Sequence, residues 1–126
     1  MKYIVGAYAT APSLVSENRN SEQEFYRKLI IDIPEIRGLE IPFWGEGVHR
    51  FGSDFLLDII NPNWENVLSC IPGTMSKLVN NPKFGLASDD ENGRVEAIAM
   101  HKRANQVLHK MNECYGRQSV IAVQIA

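Results

Sequence analysis

Short apolar runs and helical stretches take strict turns along this chain, and that alternation limits the fold more than any other feature. Tyr3-Ile-Val-Gly-Ala-Tyr8 is nearly unbroken in hydrophobicity and rich in β-branched and aromatic residues. Arg37-Gly-Leu-Glu-Ile-Pro-Phe43, Val67-Leu-Ser-Cys-Ile71 and Ser119-Val-Ile-Ala-Val-Gln-Ile-Ala126 have the same apolar character. Such runs read as strands, and the first and last read as covered on both faces, as in a parallel sheet. The order strand, helix, strand, helix, strand, helix, strand implies right-handed βαβ units. The expected class is therefore α/β with a parallel sheet.

The helical stretches carry their own start and stop signals. Ser21-Glu-Gln-Glu24 is a capping box, predicting a helix to about Asp32 that buries Phe25, Leu29, Ile30 and Ile33 and ends at Pro34. The preceding stretch, Thr10 to Asn20, reads as a polar loop. Ser53 reads as an N-cap, with Asp54 on the helix dipole, for a short helix burying Phe55, Leu56, Ile59 and Ile60. Pro72-Gly73 reads as a turn, with Thr74 capping a short helix through Val79. Ser88-Asp-Asp-Glu91, a second capping box, opens the longest helix, to about Tyr115. Val95, Ile98, Met100, Ala104, Val107, Leu108 and Met111 recur along it at helical spacing, and Gly116 stops it.

Composition narrows the class further. A length of 126 residues allows one domain, and 44% apolar content is ordinary for a globular chain. A net charge of −2 with scattered basic residues gives no case for nucleic acid or an anionic membrane. Cys70 and Cys114 lack metal-type spacing and read as reduced, buried thiols. The apolar start is too short for a signal peptide or a membrane span. The expectation is a cytoplasmic protein with its natural start. No GxGxxG and no Walker lysine follow the first strand, which disfavours nucleotide binding of those types.

Four segments, in order, carry a family resemblance: Tyr3-Ile-Val-Gly-Ala-Tyr-Ala9, Ile36-Arg-Gly-Leu-Glu-Ile-Pro-Phe43, Cys70-Ile-Pro-Gly-Thr-Met75 and Phe84-Gly-Leu-Ala-Ser-Asp-Asp90. They resemble a bacterial domain-of-unknown-function family of the xylose isomerase-like TIM barrels. The resemblance implies the first four βα-type units of a (β/α)8 barrel, a fold of ~250 residues, and hence a half-barrel from a truncated relative. It implies a sugar isomerase or epimerase type of activity on a small sugar, or a non-catalytic half-barrel that self-associates. Superfamily members use a divalent metal, usually held by residues of the second half. No metal ligand and no cofactor is therefore assigned to this chain. Four strands also leave two open edges, 3–8 and 119–125, without protective lysines or prolines. A homodimer or higher homo-oligomer through those edges would close the ring.

Sites of such barrels lie at the C-terminal ends of the strands. Glu40, flanked by Leu39 and Ile41, is costly in a core unless paired. It is a candidate catalytic base or sugar-hydroxyl ligand; the alternative is a structural ion pair with Arg37 or Arg50. His49 is the second catalytic candidate, able to polarise a carbonyl, or else a local hydrogen-bonding group. Tyr8, Trp44, Glu46 and Gln124 are candidate substrate-binding residues, and Thr10, Ser69, Cys70 and Thr74 lie at the same end. Trp64 reads as packing, His101 and His109 as surface residues, and Asp89 and Asp90 as serving a helix start.

Overall fold

The computed structural model of the chain describes residues 1–11 and 18–126. Its elements are β1 (Tyr3–Val5), α1 (Ala7–Thr10), α2 (Arg19–Asp32), β2 (Ile36–Pro42), α3 (Asp54–Leu57), β3 (Asn66–Ser69), α4 (Ile71–Asn80), α5 (Glu91–Tyr115) and β4 (Val120–Gln124). The strands form one parallel sheet in the order β1-β2-β3-β4. Alternation in sequence has thus become a sequential α/β sheet. Leu39 and Ile41 of β2 and Leu68 of β3 join one core with Tyr26, Phe55, Met100 and Ala104 from the helices.

The middle of the sheet is fastened by a buried amide. Asn66 is fully buried at the start of β3. Its Oδ1 accepts from the backbone N–H of Leu39 at 2.8 Å, and its Nδ2 donates to the Ser119 hydroxyl at 2.9 Å. One side chain therefore ties β2 to the entrance of β4. Beside it, a Cβ on Gly38 would stand 1.8 Å from the carbonyl oxygen of Glu65, so only glycine lets the chain before β3 lie against β2.

The helix starts differ from the capping boxes. α2 begins earlier, at Arg19, because the Asn18 side chain accepts from the N–H groups of Asn20 and Ser21. Ser21 is thus a recipient of the cap. Its buried side chains are Glu22, Gln23 and Tyr26, with Phe25, Leu29, Ile30 and Ile33 partly buried beside them. α5 is capped by Asp90, whose carboxylate accepts from Gly93 N–H at 2.7 Å, while the Ser88 hydroxyl accepts from Asp90 N–H. An ionised acceptor at a helix N-terminus is stronger than a hydroxyl. Ser53 stands at the N-cap of α3, but its side chain makes no capping bond. Pro72 and Gly73 form the first turn of α4, where proline's missing N–H is no loss; Cys70 occupies the cap position and Thr74 is buried inside the helix.

The inward face of α5 is rotated from the one expected. Gly93, Ala97, Met100, Ala104 and Met111 are buried, whereas Val95 and Ile98 are exposed. Small residues at steps of four and three let the helix approach the sheet closely. Gly116, at φ 63°, ends it as expected.

The outer strands differ most. The first ends at Val5, and Tyr8 lies on the turn of helix that follows. The polar loop expected over residues 10–20 begins instead with the end of α1, and residues 12–17 of it lie outside the described residues. In β4 only Val120 is buried; Ile121 (44% exposed) and Val123 (40%) face solvent, as does Ile125 (61%) just beyond the strand. Tyr3 and Ile4 of β1 are likewise exposed. A strand with no neighbour beyond it has one uncovered side, whatever its sequence. Cys70 is buried, but Cys114 is exposed, contrary to the buried pair expected. Among the described residues no helix is long and apolar enough to cross a membrane.

Replacing Asn66 by Ala strands the Leu39 N–H in the core, and about 2–4 kcal/mol of stability should be lost. Urea denaturation would read this; a midpoint equal to wild type would remove the amide from its bracing role.

Candidate functional site

The C-terminal ends of the strands carry two openings. A cavity of about 560 Å³ is walled by Tyr8, Glu22, Trp44, Glu46, His49 and Arg50. A shallower hollow of about 400 Å³ lies on the sheet surface, bordered by Ile4, Glu40, Val67 and Gln124. The candidate residues divide between them: Tyr8, Trp44, Glu46 and His49 in the first, Glu40 and Gln124 in the second.

Tyr8 and Glu40 join the two. The Tyr8 hydroxyl donates to Glu40 Oε1 at 2.8 Å. Glu40 makes neither of the ion pairs considered for it. Arg37 turns away to donate to the carbonyls of Pro34 and Ile36, and Arg50 lies by Glu22. The other carboxylate oxygen passes close to Gly6, at 3.4 Å from where a Cβ there would stand. Burial, then the hydrogen bond and charge of Glu40, push the Tyr8 phenol up to about 12, with the Ser69 hydroxyl pulling the other way. Tyr8 is therefore a neutral donor at physiological pH. Glu40 is the group at this junction with acceptor capacity for a ligand.

Ser69 and Gln124 extend the polar row along the sheet. They are register partners, and the Ser69 hydroxyl donates to Gln124 Oε1 at 2.8 Å. Trp44 meets Tyr8 edge to face, with centroids 6.3 Å apart, and is half exposed. Its loop is a tight turn: Trp44 N–H donates to the Gly47 carbonyl, and Gly45 takes φ 104°, a value suited to glycine. Arg103 of α5 holds this turn through the Gly45 carbonyl at 3.0 Å and reaches the Glu46 carboxylate at 3.4 Å.

His49 has both ring nitrogens engaged. Nδ1 accepts from the Phe51 N–H at 3.1 Å, so the neutral ring carries its proton on Nε2 and donates to Glu22 Oε1 at 2.8 Å. The ring stacks on Phe55 at 3.8 Å. This geometry holds His49 as a strut between α2 and the loop after β2. Glu22 was not among the sequence candidates. Position within the presumed capping box was its only signal, and that pointed to the helix start. Cys70 is buried, which pushes its thiol up and away from thiolate chemistry. Trp64 packs in the core, His101 turns Nδ1 to the Ala97 carbonyl, and Asp89 pairs with Lys83. No group of three His, Cys, Asp or Glu side chains that could hold a metal ion is present among the described residues.

A family model described as a domain of unknown function, DUF4862, matches residues 4–126. The chain belongs to that family. An uncharacterized protein of Salmonella typhimurium is 40% identical to this DUF4862 chain over 110 residues, covering 87% of the chain and 35% of the relative. The DUF4862 chain therefore spans about a third of the length of the curated relative that it matches. No solved structure matches it.

The sign of the Tyr8 effect sets a pH test. The folded phenol holds its proton more tightly than the ordinary value of 10.0 allows. Its contribution to stability is full below that value and is lost as pH rises from 10.0 to about 12. Tyr115, raised by burial to about 12, adds to the same loss. Tyr8→Phe should make the fall in urea stability over this window shallower; superimposable profiles for variant and wild type would refute the assignment.

Proposed function

We propose that this chain supplies the first four βα-type units of a (β/α)8 barrel of the xylose isomerase-like class and binds a small sugar at the strand mouth. The observation that carries the reading is the Tyr8–Glu40 pair at 2.8 Å, set at the C-terminal ends of sequential parallel strands beside a half-exposed tryptophan. Sugar sites combine an aromatic face with a few fixed polar groups. Trp44 offers the face. Glu40, steadied by Tyr8, accepts a sugar hydroxyl, and Gln124, steadied by Ser69, presents its amide from the neighbouring hollow.

The chemistry of this class moves a proton beside a carbonyl. Of that chemistry, Glu40 would take the proton-accepting part and Tyr8 the positioning part. His49 acts by holding the loop, since its nitrogens are committed to Glu22 and the Phe51 amide. The divalent ion of the class has no ligand set among the described residues, and no step is assigned to it.

A second reading is a non-catalytic half-barrel that self-associates. Exposed Ile121, Val123 and Ile125 along β4, with Tyr3 and Ile4 along β1, favour it. These are two apolar strand edges of one parallel sheet, able to pair β4 of one copy with β1 of another.

Titration calorimetry against aldoses, ketoses and sugar phosphates tests the first reading. Tyr8→Phe and Glu40→Gln should each weaken a bound sugar by roughly tenfold, the worth of one hydrogen bond to a charged group; unaltered affinity in both would remove the site. Light scattering after size-exclusion chromatography tests the second. Wild type should run as a dimer or larger and Val123→Lys should shift it to monomer, whereas a monomeric wild type at micromolar concentration refutes self-association.

A further inference from the structure

The cavity beside Tyr8 and Trp44 has an acceptor with no donor among the described residues. The side chain of Glu22 is 5% exposed, and its Oε1 is taken by His49. Its Oε2 is buried and has no hydrogen-bond partner among the described residues. Arg50 stands 3.9 Å away, beyond hydrogen-bond reach, with its guanidinium over the Phe51 ring. A buried carboxylate oxygen left unpaired costs more than a neutral acceptor would, and such orphans need an explanation. Glu22 is also fixed in place. It sits in the first turn of α2, one oxygen clamped by a histidine that is itself stacked on Phe55. A carboxylate held this firmly beside an open space is built to receive a donor, because little ordering remains to be done when one arrives.

We infer that Glu22 Oε2 is a ligand contact, receiving a hydrogen bond from a hydroxyl or ammonium group of whatever occupies the cavity beside Tyr8 and Trp44. This rests on the sugar-site reading and deepens it. The occupant carries donors at this end, and an anionic group is disfavoured there. Arg50, half exposed, is the side chain that moves aside to admit it. Glu22 thereby selects between sugars that differ in the charge and donor character of one substituent. His49 serves the site by holding Glu22 Oε1, so that Oε2 alone is offered.

The probes are D-glucosamine, D-glucose and D-gluconate, which share a carbon frame and differ in an ammonium, a hydroxyl or a carboxylate. Calorimetry on the wild-type chain should give glucosamine or glucose as the tighter ligand and gluconate as the weakest. Glu22→Gln, which can keep the His49 contact while placing a donor at Oε2, should weaken the tighter sugar roughly tenfold or more. Arg50→Ala should leave that affinity unchanged or raise it; a loss there would assign the contact to Arg50 and overturn the inference. On the wild-type protein, the side-chain carboxyl 13C signal of Glu22 should shift during titration, a readout that does not depend on any variant folding. An unmoved signal with bound sugar, or equal affinity in Glu22→Gln, overturns the role of Glu22 while leaving the sugar site standing. If none of the three probes binds, both readings fall together.

Discussion

The Asn66 side chain is the point at which this small sheet is fastened across its middle. A parallel pair gains its stability from evenly spaced backbone bonds and from burial, and it has no hairpin to fix register. Here Asn66 sets the register directly, taking the Leu39 N–H on one side and reaching Ser119 on the other. Around it, Asn112 of α5 accepts from the N–H groups of Ser119 and Val120, and Arg117 donates to the Trp64 carbonyl. These polar groups at the N-terminal ends of the strands thus satisfy one another. That arrangement leaves the opposite ends free to present Tyr8, Glu40, Ser69 and Gln124.

The two ends of the strands therefore do different work, and the division follows from how the chain turns at each. At the bottom, helices return into strands through turns braced by buried amides. At the top, β2 runs into the Trp44–Gly47 turn, and Gly73 N–H donates to the Phe43 carbonyl so that α4 starts against that turn. Arg103 reaches the same turn from α5. The loop carrying Trp44 and His49 is consequently held from three directions: by α4, by α5 and, through Glu22, by α2. A site on a loop gains the precision of a site on a scaffold when the loop is tied in this way.

Most of the fold was legible because its signals are periodic. The order of strands and helices, the parallel sheet, the end of α5 at Gly116 and the packing role of Trp64 follow from patterns that local sequence carries. Helix starts were misread by two residues or so, because Asn18 and Asp90 compete with serines nearby and the stronger acceptor wins. β4 was misread in burial: Val-Ile-Ala-Val is the composition of an interior strand, but exposure depends on what pairs beyond it, which no local pattern contains. Tyr8, Trp44 and Glu46, which follow strands, and Glu40, within β2, are the residues that topology alone points to. Glu22 was invisible to that reasoning because it reaches the cavity from a helix. Its contact with His49 joins positions 27 residues apart in the chain.

That long-range contact changes what the histidine can mean. A histidine in a glycine-broken loop invites an acid–base role, yet its chemistry is decided by which lone pairs and protons remain available. Nδ1 is occupied by an amide donor and Nε2–H by a carboxylate, and one ring face is stacked on Phe55. Two carboxylates, Glu40 and Glu22, line the openings at this side of the sheet. Each has one oxygen held by a donor, Tyr8 or His49, and the other without one among the described residues. Glu22 faces the cavity beside Tyr8 and Trp44, and Glu40 faces the hollow on the sheet, so each opening carries its own fixed acceptor.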